Sequence, residues 1–168
     1  MTTGQLHLFN AVYLTVFVVV AVLTRATLRR AIGALAGGTA AGAVALVAIA
    51  LGEYAGWWHM AIRWTPYFVM LLWLDFALSA FALLITWRIA RHFGRRGLAT
   101  AVILAAIVGP PRDYWYMSRF PEWGAYAPGV VPVVAISATY VVVLLVGHGV
   151  MRLVAGPSRS DNLARRPR

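Results

Sequence analysis

The chain has 168 residues, of which 61% are hydrophobic and only 12% charged, and its mean hydropathy is +0.75. A soluble domain averages about 45–50% apolar and about 25% charged residues, so this composition excludes both an ordinary soluble domain and a disordered chain. Cysteine and lysine are absent, which excludes disulfides, thiolate-held metals, iron–sulfur clusters, thiol catalysis and a lysine Schiff base.

Five apolar segments follow one another: 8–24, 31–52, 67–87, 98–109 and 130–155. About 20 helical residues cross a 30 Å hydrocarbon core. Segments two, three and five meet that length, and segment one nearly does. The 12 residues of segment four would span roughly 18 Å. Starting it at 95, with Arg95 and Arg96 snorkelling to the interface, lengthens it. Pro110 and Pro111 are expected to end it. The expected fold is therefore all-α: a single domain over 1–156, a polytopic bundle of about five transmembrane helices (8–24, 31–52, 67–87, 95–109 and 130–155) with an aromatic extracytoplasmic cap. The Arg-rich tail 157–168 is expected to be mobile.

The charge pattern supports that topology. All 15 basic residues are arginine and the net charge is +10. If every segment crosses, 12 of the 15 arginines fall on one side. Arg63, Arg112 and Arg119 fall on the other, with Glu53, Asp113 and Glu122. The positive-inside rule then places the N-terminus outside and the C-terminus in the cytoplasm. The lysine-free, Ala/Val/Gly/Arg-rich composition points to a GC-rich bacterial genome, and so to a bacterial inner membrane. The excess charge reads as topology and attraction to anionic inner-leaflet lipids, not as a nucleic-acid surface.

Five of the seven tryptophans lie in the two outer loops. The first loop carries Glu53, Trp57, Trp58, His59 and Arg63. The second carries Arg112, Asp113, Tyr114 and Trp115. Trp and Tyr favour the membrane–water interface, so an aromatic belt explains them. A cap over a ligand with an apolar body and a polar head is the functional reading, with these residues and Tyr140 as candidate contacts and the Arg112–Asp113 pair at its centre.

Asp75 is the sharpest single residue. It is the ninth residue of segment three, about 13 Å below the segment's outer edge. A carboxylate at mid-membrane costs about 2.5–3.5 kcal/mol on insertion scales, so it is expected to face the bundle interior and find a partner. Segment five brings Tyr140 and Thr139 to matching depth, with Ser137 nearby, and a hydrogen bond to Tyr140 or Thr139 is expected. Asp75 is also the candidate acid or base of any intramembrane chemistry.

Other signals are weaker. His7 and His59 fall at the outer level, His92 and His148 at the inner. Only His148 is comfortably helical, which makes it the candidate ligand should a b-type haem be present; no cofactor is expected. Glu53 and His59 are six apart, which is no single-face helical spacing, so no metal site is expected. Gly33, Gly37, Gly38 and Gly42 recur at four-residue spacing, which allows close helix approach within the chain, to a second copy or to another membrane subunit.

No nucleophile–base pair, metal triad or phosphate loop can be assembled from these residues. The expected function is an accessory or structural membrane subunit, or a small binding protein for a lipid-like molecule. The alternatives are an intramembrane enzyme acting on an isoprenoid or other lipid-type substrate, and a proton- or ion-coupled carrier.

Overall fold

The computed structural model describes residues 1–156, so the tail 157–168 lies outside the described residues. Helix dominates. The elements in order are α1 (Thr3–Leu23), α2 (Leu28–Tyr54), β1 (Trp58–Met60), α3 (Pro66–Leu78), α4 (Phe81–Arg119), a single 3₁₀ turn (Pro121–Trp123), β2 (Gly124–Tyr126) and α5 (Val130–Ala155). Local chemistry sets several starts. Thr2 and Gln5 form a reciprocal capping box at α1, and Thr27 accepts from the Arg30 N–H at α2. Pro66 opens α3, where a missing N–H does no harm.

Four helical stretches are long and apolar enough to cross a membrane: Thr3–Leu23, Leu28–Tyr54, Pro66–Arg119 and Val130–Ala155. As one straight rod the third, 54 residues long, would measure roughly 81 Å. It is not straight. Segment three, expected to be continuous over 67–87, breaks at Ser79–Ala80. There the Ser79 hydroxyl donates to the Phe76 carbonyl, and tight three-residue turns carry the chain into α4. A sharper change comes at Gly94, whose φ of 62° and ψ of −141° are non-helical and suit glycine. A Cβ on Gly97 would sit 2.7 Å from the Ile89 carbonyl oxygen, although eight residues of helix would separate the two by about 12 Å. The chain therefore doubles back. The same follows from α5: Ser137 meets Ala106 and Gly147 meets Leu83. Those α5 residues are about 15 Å apart along the helix, whereas Leu83 and Ala106 would be about 35 Å apart on a straight one.

Pro110 and Pro111 do not end the helix, contrary to expectation. α4 runs through both to Arg119. Pro110 cannot donate to the Ala106 carbonyl four residues back. The Ser137 hydroxyl of α5 donates to that carbonyl instead, at 2.9 Å. A neighbouring hydroxyl thus satisfies the acceptor that proline frees, which is how apolar helices tolerate proline.

The chain is mostly helical, as expected, with one short addition. The two aromatic loops meet in a short antiparallel ladder, with Trp58, His59 and Met60 opposite Tyr126, Ala125 and Gly124. The Glu53 carboxylate accepts from the Met60 N–H at 2.9 Å, so Glu53 pins β1 to the end of α2.

The small-residue stripe packs within the chain. Gly37 lies against the Gly147 backbone of α5, Gly33 against Met151 and Ala155, Gly38 against Ala77 and Ala80, and Gly42 against Trp73 and Phe76. Glycine and alanine let α2 approach both neighbours closely. At the Gly94 end, Phe17, Ala34, Leu83, Leu84, Trp87 and Met151 form one buried cluster. Leu6, Phe68, Leu71 and Leu72 form a second, nearer the ladder. Arginines at the Gly94 end also close helix termini: Arg88 donates to the Thr24 carbonyl ending α1, and Arg29 to Val154 near the end of α5.

Candidate functional site

A cavity of about 320 Å³ lies under the ladder, and every helix lines it. α1 supplies Phe9 and Tyr13, α2 Ala45, Ala48 and Ile49, and α3 Leu72, Asp75 and Phe76. α4 supplies Arg112, Asp113, Tyr116 and Met117, and α5 Ile136, Thr139, Tyr140 and Val143. Trp58, Trp123 and Tyr126 roof it.

The roof is held by ring packing. Trp123 stacks on Phe120 at 4.4 Å and meets the Phe9 ring edge-on at 5.4 Å. The Trp58 indole donates to the Ile49 carbonyl at 3.0 Å and packs edge-on to Tyr126 at 6.1 Å. Burial, and after it the nearby Asp113 carboxylate, push the Tyr126 phenol up, so its proton stays on and it remains a donor.

The polar centre is built by α4 and α5. Asp113 accepts from Arg112 Nε at 3.1 Å, from Arg112 Nη2 at 3.0 Å and from the Tyr140 hydroxyl at 2.9 Å. Helical side chains lean toward their own N-terminus. Tyr140 therefore points up α5 toward the ladder, and its ring passes directly over Gly109, where no Cβ would fit. Because α4 continues beyond the prolines, Asp113 stands where that hydroxyl arrives. The Arg112 guanidinium lies over the Tyr140 ring at 5.5 Å and the Tyr116 ring at 5.8 Å.

The expected hydrogen bond from Asp75 to Tyr140 or Thr139 is not formed. Tyr140 serves Asp113, and the Thr139 hydroxyl donates to the Ala135 carbonyl of its own helix at 2.8 Å. Asp75 faces the same cavity, but its Oδ1 is buried with no hydrogen-bond partner. The Trp123 indole nitrogen, also in the cavity lining, is buried and unpartnered too.

The chain matches no protein-family model, no curated protein and no solved structure.

Of the residues singled out by sequence, Asp75, Trp58, Arg112, Asp113 and Tyr140 converge on the cavity. The others stand apart from it. Glu53 secures β1. Trp57 packs edge-on to Trp58 at its rim. His59 and Arg63 are exposed. Tyr114 packs against Tyr126 with tilted rings 4.6 Å apart and lines a separate shallow hollow with Pro110 and Pro111. Trp115 is exposed beneath the Arg119 guanidinium. Sequence reasoning missed Tyr13, Tyr116 and Trp123. Tyr13 carried a usable signal: it shares a helix face with Asn10, and the pair is polar within an apolar run.

The histidines do not converge. His7 pairs with the Tyr67 hydroxyl at 3.0 Å, His59 and His92 are exposed, and His148 is buried on α5 with Nδ1 unpartnered. Among the described residues no three His, Cys, Asp or Glu side chains are grouped to hold a metal ion.

Proposed function

We propose that this chain is a small integral membrane protein that binds a membrane-borne amphiphile, with the polar head at Asp75 and the apolar body along the aromatic and aliphatic walls. The observation that carries this reading is the buried, unpartnered Asp75 oxygen in a cavity otherwise lined largely by apolar and aromatic side chains. A polar atom left without a partner in such surroundings costs about 1–3 kcal/mol, and a ligand donor removes that cost. A cavity of this size, apolar with a few converging polar groups, suits a small ligand.

In this reading the reversal at Gly94 divides the run Pro66–Arg119 into two crossings, giving five. The ladder end faces outward as a cap, and the arginine-rich Gly94 end faces the cytoplasm of a bacterial inner membrane and its anionic lipids. Because the chain has no cysteine, single replacements report cleanly. Arg63→Cys in intact cells is expected to react with an impermeant maleimide, and Arg95→Cys to react only after lysis. Labelling of both in intact cells overturns the five-crossing arrangement.

Native mass spectrometry of the protein, gently released from its own membrane, tests binding. The expected spectrum shows one defined small molecule per chain, lost from Ala48→Phe, which fills the cavity from α2. Bare chain in both spectra, or added mass that is polypeptide alone, refutes the proposal; the second result indicates an accessory subunit.

A further inference from the structure

We infer that the amphiphile carries a protonated amine, and that its ammonium group donates to Asp75. This rests on the amphiphile-binding reading and adds the chemistry of the head. Three side chains lining the cavity carry formal charge: Asp75, Asp113 and Arg112. Arg112 is held by Asp113 through both Nε and Nη2, so these two charges compensate each other and the Tyr140 hydroxyl completes the arrangement. The Asp75 carboxylate is left with an open acceptor, and Arg112, a cation within electrostatic range of it, is already paired with Asp113.

Three of the hydroxyls around it are committed elsewhere. On its own helix end, Ser79 donates to Phe76 at 2.6 Å. Across the cavity, Thr139 donates to Ala135 and Tyr140 to Asp113. From α1 the Tyr13 phenol lies within electrostatic range of Asp75. From α2 the facing residues, Ala45, Ala48 and Ile49, carry no polar side chain.

A carboxylate in low-dielectric surroundings calls for a cation. An anionic head would meet repulsion from Asp75 and find Arg112 already chelated. A neutral alcohol could donate a hydrogen bond but would leave the charge. An ammonium group does both.

The test uses the full chain in lipid nanodiscs and three probes of equal chain length: dodecylamine, dodecanol and dodecanoate. Saturable binding is read by quenching of tryptophan fluorescence, since Trp58 and Trp123 line the cavity. A charge-assisted hydrogen bond predicts that dodecylamine binds about tenfold tighter than either competitor. Asp75→Asn, nearly identical in shape, is expected to abolish that preference while still binding all three. Equal binding of dodecanol, or tighter binding of dodecanoate, overturns the amine assignment and leaves the amphiphile reading standing. Failure of all three probes to bind saturably counts against the amphiphile reading itself. The comparison among probes on the unaltered chain decides even where Asp75→Asn fails to fold.

Discussion

Replacing Gly37 with valine is expected to destabilise the folded chain by about 3 kcal/mol, a fall of roughly 6–12 °C in melting temperature. A Cβ at this position would run into the backbone carbonyl of Gly147 on α5 and also crowd Leu83 of α4. Backbone cannot step aside as a side-chain tip can, so α2 and α5 would have to separate. That seam carries Gly33, Gly37 and Gly147 in succession, and opening it at one point loosens dispersion contacts along its length. Gly149→Val is the matched control, because nothing lies within 4 Å of a Cβ there. Thermal unfolding in one detergent compares the two. Equal melting temperatures would mean that the seam is not as tight as described.

The second large effect is expected at Asp113. Changing it to asparagine removes the negative charge that holds Arg112 and weakens the acceptor for the Tyr140 hydroxyl. Stripping one partner from a fully buried ion pair costs about 3–5 kcal/mol. The Arg112 side chain is 54% exposed, so solvent screening brings the expected loss to about 2 kcal/mol. A sharper readout accompanies it. Once released, Arg112 becomes the natural counterion of Asp75, and the summed charge of the lining side chains rises from minus one to zero. The preference for dodecylamine should then disappear, and dodecanoate should bind comparatively better. An unaltered order of the three probes in Asp113→Asn would show that the Arg112–Asp113 pair does not set the charge of the site.

Much of the helical architecture was legible because apolar runs of membrane length allow few alternatives. The boundaries were less so. The sequence around Pro110 and Pro111 reads as a stop, since the rule against interior proline concerns the helix alone. What overrides it is a hydroxyl 31 residues away in the chain, Ser137, which local patterning cannot locate. The reversal at Gly94 was half visible: arginines on both sides mark an interface, but the backbone conformation that turns the chain does not show in composition. Asp75 could be flagged from hydropathy alone, and Arg112 and Asp113 from their adjacency. The hydrogen-bond assignment failed because Tyr140 was matched to Asp75 by depth, whereas the lean of its side chain along α5 carries the hydroxyl to Asp113. Glu53 stands out in sequence as one of few acids in these loops, and in the structure it fastens a strand. Two strands of three residues, joined across distant loops, leave almost no alternation to detect.

The β1–β2 ladder also bears on how the molecule comes into being. Trp58 and its partner Tyr126 lie 68 residues apart in the chain, and the cavity beneath them takes residues from the first helix and the last. Such a site is wholly non-local, and contacts of high sequence separation form late. A chain emerging from the ribosome exposes Asp75 to its surroundings before α5 has been made. Ser137, which satisfies the carbonyl freed by Pro110, arrives later still. The last helix therefore completes the hydrogen bonding of its predecessor and the last wall of the cavity in a single event. Until that event a synthesis intermediate leaves the Ala106 carbonyl without its donor.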